Sequence, residues 1–414
     1  MFSLEEGEKL CEQALSLAEE LQDQLAEAKI LWIQLNLYRL MDKNLKALAV
    51  GENSLAILRE LSSETQTTLA AREQLAYTLN DIFHASSVTQ SVELALGYLE
   101  EARLLWQDLD NKPMLADNLA TASLAYLSIG DFNKALDFSE KAYQLSKSID
   151  NIWGMSYSRY GVGMVYWERG DVDYTIRLTE ETIVLGEQAD FAVVQAMNRW
   201  FLAWIYGALG DYDKGFAIAD EVLAQEKAFS PLWLRYSAPL LAELYILKGD
   251  LVKAEELITQ DEEVDEEMNP VFVYFYLRSK SRIALAKRSF EEALNLAHEI
   301  LTMAQTSGSL YYLEDLYFHG QVLLEMGHDE ESYEALIAAR EWAKEQGSKW
   351  SLWRILVAIS TIESRRGNTE EAERALTEAR ENLTYIADHI SDPVLRAKFI
   401  EQPGVSELFQ PINP

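Results

Sequence analysis

Small, aromatic and polar residues recur at fixed distances along most of this chain. The clearest landmark is a Gly-Asp pair, found at Gly130-Asp131, Gly170-Asp171, Gly210-Asp211 and Gly249-Asp250, with the glycines 40, 40 and 39 residues apart. Weaker copies continue the spacing at positions 288, 327 and 367, and upstream at 42 and 90. A glycine that ends a helix in a left-handed cap, followed by an aspartate that caps the next helix, predicts a helix–turn–helix hinge. Its repetition at a fixed period predicts a helical solenoid.

Further columns of similar residues keep a constant distance from each hinge. Small residues lie seven positions before it, at Ser123, Gly163, Ala203, Ala242, Ser281, Gly320 and Ser360. Others lie five positions after it, at Ala47, Ala95, Ala135, Gly215, Ala254, Ala293, Ser332 and Ala372. A tyrosine recurs four positions before it, at Tyr38, Tyr126, Tyr166, Tyr206 and Tyr245. Because helices approach closely only where small side chains face each other, the small columns predict the contact inside each helix pair.

These columns resemble the tetratricopeptide repeat (TPR), in a long-period variant of about 40 residues, over about residues 3–390. The resemblance implies an all-α fold, a right-handed α-solenoid of helical hairpins. We expect the solenoid in residues 1–390, with a half repeat at 3–21 followed by about nine helix pairs, and a C-terminal cap and tail in 391–414. A half repeat at the start is typical of a helical N-cap or of a fragment of a longer protein, and we favour the fragment.

The tail offers a second, shorter resemblance. The segment from Tyr385 to Phe399 is similar to the closing segment of bacterial STAND-type regulators. Those proteins join a nucleotide-switching ATPase, often with a cyclase or DNA-binding module, to a C-terminal repeat array. The resemblance implies a regulatory role.

Composition and charge narrow the class of protein. The chain is 49% hydrophobic and 11% aromatic, which excludes a disordered protein. Its net charge of −32 disfavours binding to nucleic acid or to an anionic membrane. Cys11 is the single cysteine, no signal peptide is evident, and no apolar run approaches the ~18 residues of a membrane span. We therefore expect a soluble cytoplasmic protein.

In TPR proteins the first helix of each pair lines a concave groove. Transferring the groove-facing columns to this chain gives a set of candidate partner-binding residues: Tyr157, Tyr160, Met164, Trp167, Met197, Trp200, Trp204, Tyr236, Glu243, Phe275, Arg278, Arg282, Glu314, Tyr317, Gln321 and Arg354. An aromatic centre that passes into paired arginines suits an extended peptide, or a flat ligand with an acidic group. The alternative is that many of the aromatics pack between units, and that Arg278 and Arg282 face solvent or pair with neighbouring glutamates.

Motifs for catalysis are missing from the sequence. It contains no phosphate-binding loop and no nucleophile elbow, and its five histidines have no metal-ligand spacing. We expect no catalytic residues, no metal and no cofactor. The predicted function is a non-catalytic protein–protein interaction scaffold or sensor that binds a protein or peptide segment in its groove. The alternatives are a small-molecule-sensing repeat domain of a signal-transduction ATPase or transcription regulator and, with less support, an enzyme. Homo-oligomers through the solenoid ends are also compatible with this architecture.

Overall fold

The computed structural model describes residues 4–41, 43–63, 68–226, 231–259, 270–309 and 311–410. The helices of the first half are α1 (Leu4–Glu20), α2 (Gln24–Leu40), α3 (Asn44–Ser63), α4 (Leu69–Thr89), α5 (Val92–Asp108), α6 (Lys112–Ser128), α7 (Phe132–Ser148), α8 (Ile152–Arg159), α9 (Gly163–Glu168), α10 (Val172–Gln188), α11 (Ala192–Ala208) and α12 (Tyr212–Glu226). Those of the second half are α13 (Pro231–Lys248), α14 (Leu251–Thr259), α15 (Pro270–Ala286), α16 (Phe290–Ser307), α17 (Tyr312–Met326), α18 (Asp329–Gln346), α19 (Lys349–Arg366), α20 (Thr369–Asp388), α21 (Pro393–Ile400) and α22 (Val405–Phe409). Over these ranges every regular element is a helix, and the predicted all-α solenoid is confirmed.

The hinges form as predicted. Gly130, Gly210 and Gly327 have φ angles of 78°, 83° and 80°, in the left-handed region that favours glycine. Asp131 then caps α7, because its carboxylate accepts a hydrogen bond from the backbone N–H of Lys134 at 3.0 Å. The hinge is therefore a local structure that five or six residues specify by themselves.

A second turn, between successive helix pairs, is also repeated and was not recognised in the sequence. Asp110, Asp150 and Asp190 all have positive φ, between 50° and 53°. Asn111 and Asn151 follow the first two and cap α6 and α8 through their side-chain oxygens. Aspartate and asparagine tolerate the left-handed region better than most residues, so an Asp-Asn pair replaces Gly-Asp here.

The two columns of small residues meet inside each pair. The hydroxyl of Ser123 on α6 donates to the carbonyl of Ala135 on α7 at 2.7 Å. In a later unit the donor lies on the second helix of the pair instead of the first: the hydroxyl of Ser332 on α18 donates to the carbonyl of Gly320 on α17 at 2.7 Å. Such contacts require the close helix crossing that the columns predict.

One inner helix is interrupted. Tyr160 has an extended backbone and Gly161 a φ of +84°, so α8 ends before α9 begins at Gly163. Tyr157 and Tyr160 precede the break and Met164 and Trp167 follow it, so these four predicted groove residues do not share one helix face.

The superhelix closes on itself, so that its second turn packs against its first. The backbone N–H of Phe132 donates to the side chain of Gln346 at 3.1 Å, and the hydroxyl of Tyr385 donates to Asp171 at 2.8 Å. Each of these pairs is separated by 214 residues. We call this contact the seam; its described residues are 128–132, 168, 170–173 and 208–211 on one side, and 308–309, 342–351, 385–391 and 398–402 on the other.

A hydrophobic core forms across the seam. The rings of Trp167 and Trp350 lie 4.0 Å apart between centroids, and Trp350 stacks on Phe399 at 5.9 Å. Leu395 and Leu408 extend the same core into α21 and α22. The two C-terminal helices therefore cover the end of the repeat array and also anchor it to the first superhelical turn.

In the part of the chain that the structure describes, no helix combines the length and the apolar character required to span a membrane.

Candidate functional site

Two chambers, both partly open to solvent, lie on the inner side of the superhelix. The first chamber has a volume of about 590 Å³ and lies between helices α2, α4 and α6 and the segment from α15 to α17. The second chamber has a volume of about 550 Å³ and is bounded by α11, α15, α17, α19 and α21. Both lie within the range of ~300–1,000 Å³ that is typical of ligand pockets.

A narrow cavity of about 50 Å³, which we call the neck, lies between the chambers. It shares Met197, Phe275 and Tyr311 with the first chamber and Trp204 with the second. Chambers and neck thus adjoin one another along the inside of the superhelix, and we call this row of cavities the channel.

The predicted groove residues divide between this channel and the core. Those that line a chamber or the neck are Tyr160, Met197, Trp200, Trp204, Glu243, Phe275, Arg278, Arg282, Glu314, Tyr317, Gln321 and Arg354. Trp167, which is 1% exposed, lies in the seam core, and Met164 is buried. Tyr157 packs against Trp153 and Phe191, and its hydroxyl lies 3.2 Å from that of Thr121 on α6. The side chain of Tyr236 lies outside the described residues, and the binding role of the whole set stays a prediction.

Three arginines meet at one glutamate beside the neck. Glu314 accepts hydrogen bonds from Arg278, from Arg282 at 2.9 Å and from Arg354 at 3.4 Å. Arg282 also donates to Glu243 at 2.7 Å. Burial alone would raise the pKa of Glu314, but the three guanidinium groups hold it well below its usual range. The alternative expected for Arg278 and Arg282, pairing with glutamates, is what the structure contains.

Arg278 is held on every side. It is 4% exposed, its guanidinium lies 4.2 Å above the ring of Tyr311, and it donates to the hydroxyl of Tyr274 at 3.3 Å. The charge of Arg278 is therefore already paired with that of Glu314, and an acidic partner would have to compete with Glu314 for the guanidinium.

Asp315, next to this cluster, is a buried carboxylate with hydroxyl partners. It accepts hydrogen bonds from Tyr274 at 2.7 Å and from Ser309 at 3.2 Å. Burial raises its pKa to about 6, although Arg278 opposes that shift. The backbone N–H of Ser309 in turn donates to the carbonyl of Ser128 at 2.7 Å, so this carboxylate lies directly behind the seam.

The wall of the first chamber contains residues that the sequence analysis did not select. Asn36, His84 and Leu124 lie six residues before the hinges at 42, 90 and 130, and all three line this chamber. Met164, Trp204, Glu243, Arg282 and Gln321 occupy the same column in later units. Extending that column to the first three units would have identified the chamber.

No group of three or more histidine, cysteine, aspartate or glutamate side chains is arranged to hold a metal ion within the described ranges. The chamber walls combine aromatic and aliphatic side chains with a few arginines, amides and hydroxyls. Such walls suit recognition by shape and hydrogen bonding.

The sequence profile of the family described as MalT-like TPR region matches residues 83–349. Solved structures with a similar fold include a Rap protein complexed with Competence and Sporulation Factor, at 13% identity, with 93% of this chain and 98% of that chain covered and a TM-score of 0.47. Another is the STAND protein with a tetratricopeptide repeat sensor from Pyrococcus horikoshii, at 16% identity, with 94% of this chain and 62% of that chain covered and a TM-score of 0.46. A search of curated proteins found no significant match.

Proposed function

The chain belongs to the family of MalT-like TPR regions, and from that premise we propose that it is a non-catalytic recognition module that binds a short peptide segment inside its channel. The bound segment would report a partner to a regulatory system, as expected of a sensor or scaffold. The expectations of a cytoplasmic location, of no cofactor and of no nucleic-acid or membrane partner belong to this proposal.

The observation that carries the proposal is the row of cavities inside the superhelix. A folded partner needs a wide groove, whereas packing across the seam leaves two partly open chambers of about 590 and 550 Å³. A peptide in extended conformation can place side chains in both chambers and its backbone in the neck. Apolar walls with a few fixed polar groups give such a ligand both affinity and orientation.

A small-molecule effector is the second candidate. Each chamber alone has the volume of an ordinary ligand pocket, and the neck between them holds only about 50 Å³. A compact ligand would occupy one chamber and leave the other unchanged, whereas a peptide would use both. That difference separates the two candidates.

The experiment fills each chamber in turn. Short peptides with free C-termini are selected from a displayed random library on the full chain, and their affinities are measured by calorimetry. Leu124→Trp fills the first chamber and Gln321→Trp the second. The matched control is Leu104→Trp, at a position that is 58% exposed. Melting curves verify that each variant is folded.

A peptide that occupies the channel should bind one per chain and lose at least about tenfold in affinity in both chamber variants, but not in the control. Loss in only one variant would favour the small-ligand candidate. Equal binding by all four proteins, or selection of no peptide at all, would contradict the proposal.

A further inference from the structure

Arg39 is a partly buried cation in the wall of the first chamber. It lies in the last turn of α2, and its side chain lines the chamber. Its Nη1 donates to the side-chain oxygen of Asn36 at 2.8 Å. Among the described residues the guanidinium forms no ion pair with a carboxylate, so most of its five N–H donors remain available.

The carboxylates nearest to Arg39 are already engaged by other donors. Asp81 accepts hydrogen bonds from Trp32 at 2.7 Å and from Asn36 at 2.9 Å. Asp117 accepts one from Asn80 at 3.0 Å. Both influence the pKa of Arg39 through their charges, but neither lies within ion-pair distance.

Arg282 in the second chamber provides a contrast inside the same molecule. It is bound by Glu243 at 2.7 Å and by Glu314 at 2.9 Å, so both sides of its guanidinium are occupied. The unpaired N–H donors of a partly buried guanidinium stay available to a ligand that enters the chamber, and a ligand that displaces water from them must pair them. Arg39 is therefore the more available anchor.

The surroundings of Arg39 indicate what its ligand carries. His84 lines the same chamber, and burial together with the charge of Arg39 holds its pKa well below the usual range, so the imidazole is neutral near pH 7. The rest of the nearby wall is largely apolar and includes Phe83, Leu124 and Met197. One cation in an apolar chamber matches one anionic group on an apolar ligand.

We infer that Arg39 anchors a carboxylate of the ligand, and that in a bound peptide this carboxylate is the free C-terminus that follows apolar side chains. This inference rests on the proposed binding of a peptide in the channel. A guanidinium fork pairs with a planar carboxylate through two parallel hydrogen bonds. A dianion such as phosphate is matched less well, because Asp81 and Asp117 already balance part of the positive charge of Arg39.

The test uses a synthetic library of short apolar peptides in two forms, one with free C-terminal carboxylates and one with C-terminal amides. A third set carries the amide together with an internal aspartate. Binding to the full chain is measured by calorimetry for the wild-type protein, Arg39→Gln and Arg39→Lys. The control is Arg169→Gln, because Arg169 contacts Asn133 away from both chambers.

In the wild-type protein we expect the free-acid peptides to bind at least about tenfold more tightly than the amides, as hydrogen bonds to a charged group allow. Arg39→Gln should abolish this preference, Arg39→Lys should keep part of it, and Arg169→Gln should leave it unchanged. The aspartate set should bind like the plain amides if the C-terminus is the recognised carboxylate.

Equal affinity of the free-acid and amide forms for the wild-type protein would overturn the inference and leave the proposed channel intact, provided that Leu124→Trp still weakens both. Recovery of tight binding by the aspartate set would show that a side-chain carboxylate replaces the C-terminus. If no peptide in the library binds in the channel, the inference and the proposed function both fail. The free-acid and amide comparison needs no variant, so a misfolded Arg39→Gln protein would not obscure the result.

Discussion

Two groups of hinges share a glycine with the same backbone conformation but differ in their surroundings. A Cβ atom added at Gly130 would lie 1.7 Å from Trp342 and one added at Gly170 would lie 2.9 Å from Ile386, both across the seam. At Gly327 and Gly367 an added Cβ would meet no other described atom within 4 Å. All four glycines have φ between 78° and 84°. The left-handed turn therefore favours glycine at all four hinges, while close approach of the second superhelical turn is a further reason for glycine at Gly130 and Gly170.

The comparison shows how a repeat protein becomes closed. Each hinge is a local structure, but the seam hinges also serve as a packing surface for a segment far along the chain. The second turn can pack this closely because Gly130 and Gly170 have no side chain. Changes at the seam should thus cost more than the same changes at an open hinge.

The largest effect is expected for Phe399→Ala. Phe399 is 1% exposed and stacks on Trp350 in the seam core, so its removal should lower the free energy of unfolding by about 3–5 kcal/mol. Phe409→Ala, at a position in the adjacent helix that is 37% exposed, is the control and should cost far less. Urea denaturation followed by circular dichroism measures both. Similar losses for the two variants would mean that α21 does not anchor the seam.

Gly130→Ala and Gly327→Ala test the hinge comparison directly. Gly327→Ala adds only the cost of the left-handed turn, about 1 kcal/mol, whereas Gly130→Ala must also displace Trp342 and should cost about 2–3 kcal/mol. In a Trp342→Ala background the cost of Gly130→Ala should fall to that of Gly327→Ala. Equal costs in the wild-type background would refute the special role of the seam hinges.

The pH dependence of stability provides a third test, through Asp315 behind the seam. Because burial raises its pKa to about 6, the folded chain binds this proton more tightly than the unfolded chain, whose aspartates titrate near ~3.9. This contribution to stability is therefore present at low pH and is lost as the pH rises through about 6. On acidification from about pH 7 to about pH 5, the wild-type protein should gain about 1 kcal/mol more stability than Asp315→Asn.

Parallel thermal melts of both proteins across this pH range measure the difference. Asp117, whose pKa burial also raises to about 6, titrates in both proteins and cancels in the comparison. Identical pH profiles would show that Asp315 is not stabilised by protonation in the folded state.

The smallest effect is expected for Tyr385→Phe. It removes the hydrogen bond to Asp171 across the seam, and the net cost should be below about 1 kcal/mol because the freed carboxylate can then cap α10. Hydrogen exchange should nevertheless accelerate at the amide of Asp173, which donates to the carbonyl of His389 across the seam.

The matched control is Tyr212→Phe, which removes a hydrogen bond to Leu247 in the neighbouring unit, at 3.0 Å. It should leave exchange at Asp173 unchanged. Faster exchange in the control as well would indicate general loosening of the solenoid instead of local opening of the seam.

Several features of this protein could be predicted from the sequence because they depend on short stretches of chain. The left-handed glycines, the cap at Asp131 and the contact of Ser123 with the backbone of Ala135 all form within about a dozen residues. The transferred columns also identified part of the second chamber's wall, including Trp204, Arg282 and Gln321, because the inward face of a repeat has fixed positions.

The tertiary structure alone decided which units meet. Small rotations between successive pairs accumulate over roughly five repeats before Phe132 and Tyr385 find their partners 214 residues away, and no local pattern records that sum. The same accumulated curvature shapes the chambers and brings three arginines within hydrogen-bond distance of Glu314. It also leaves Arg39 without a carboxylate partner among the described residues. Local sequence fixes the shape of each unit, and the sum of many small rotations fixes what the interior can bind.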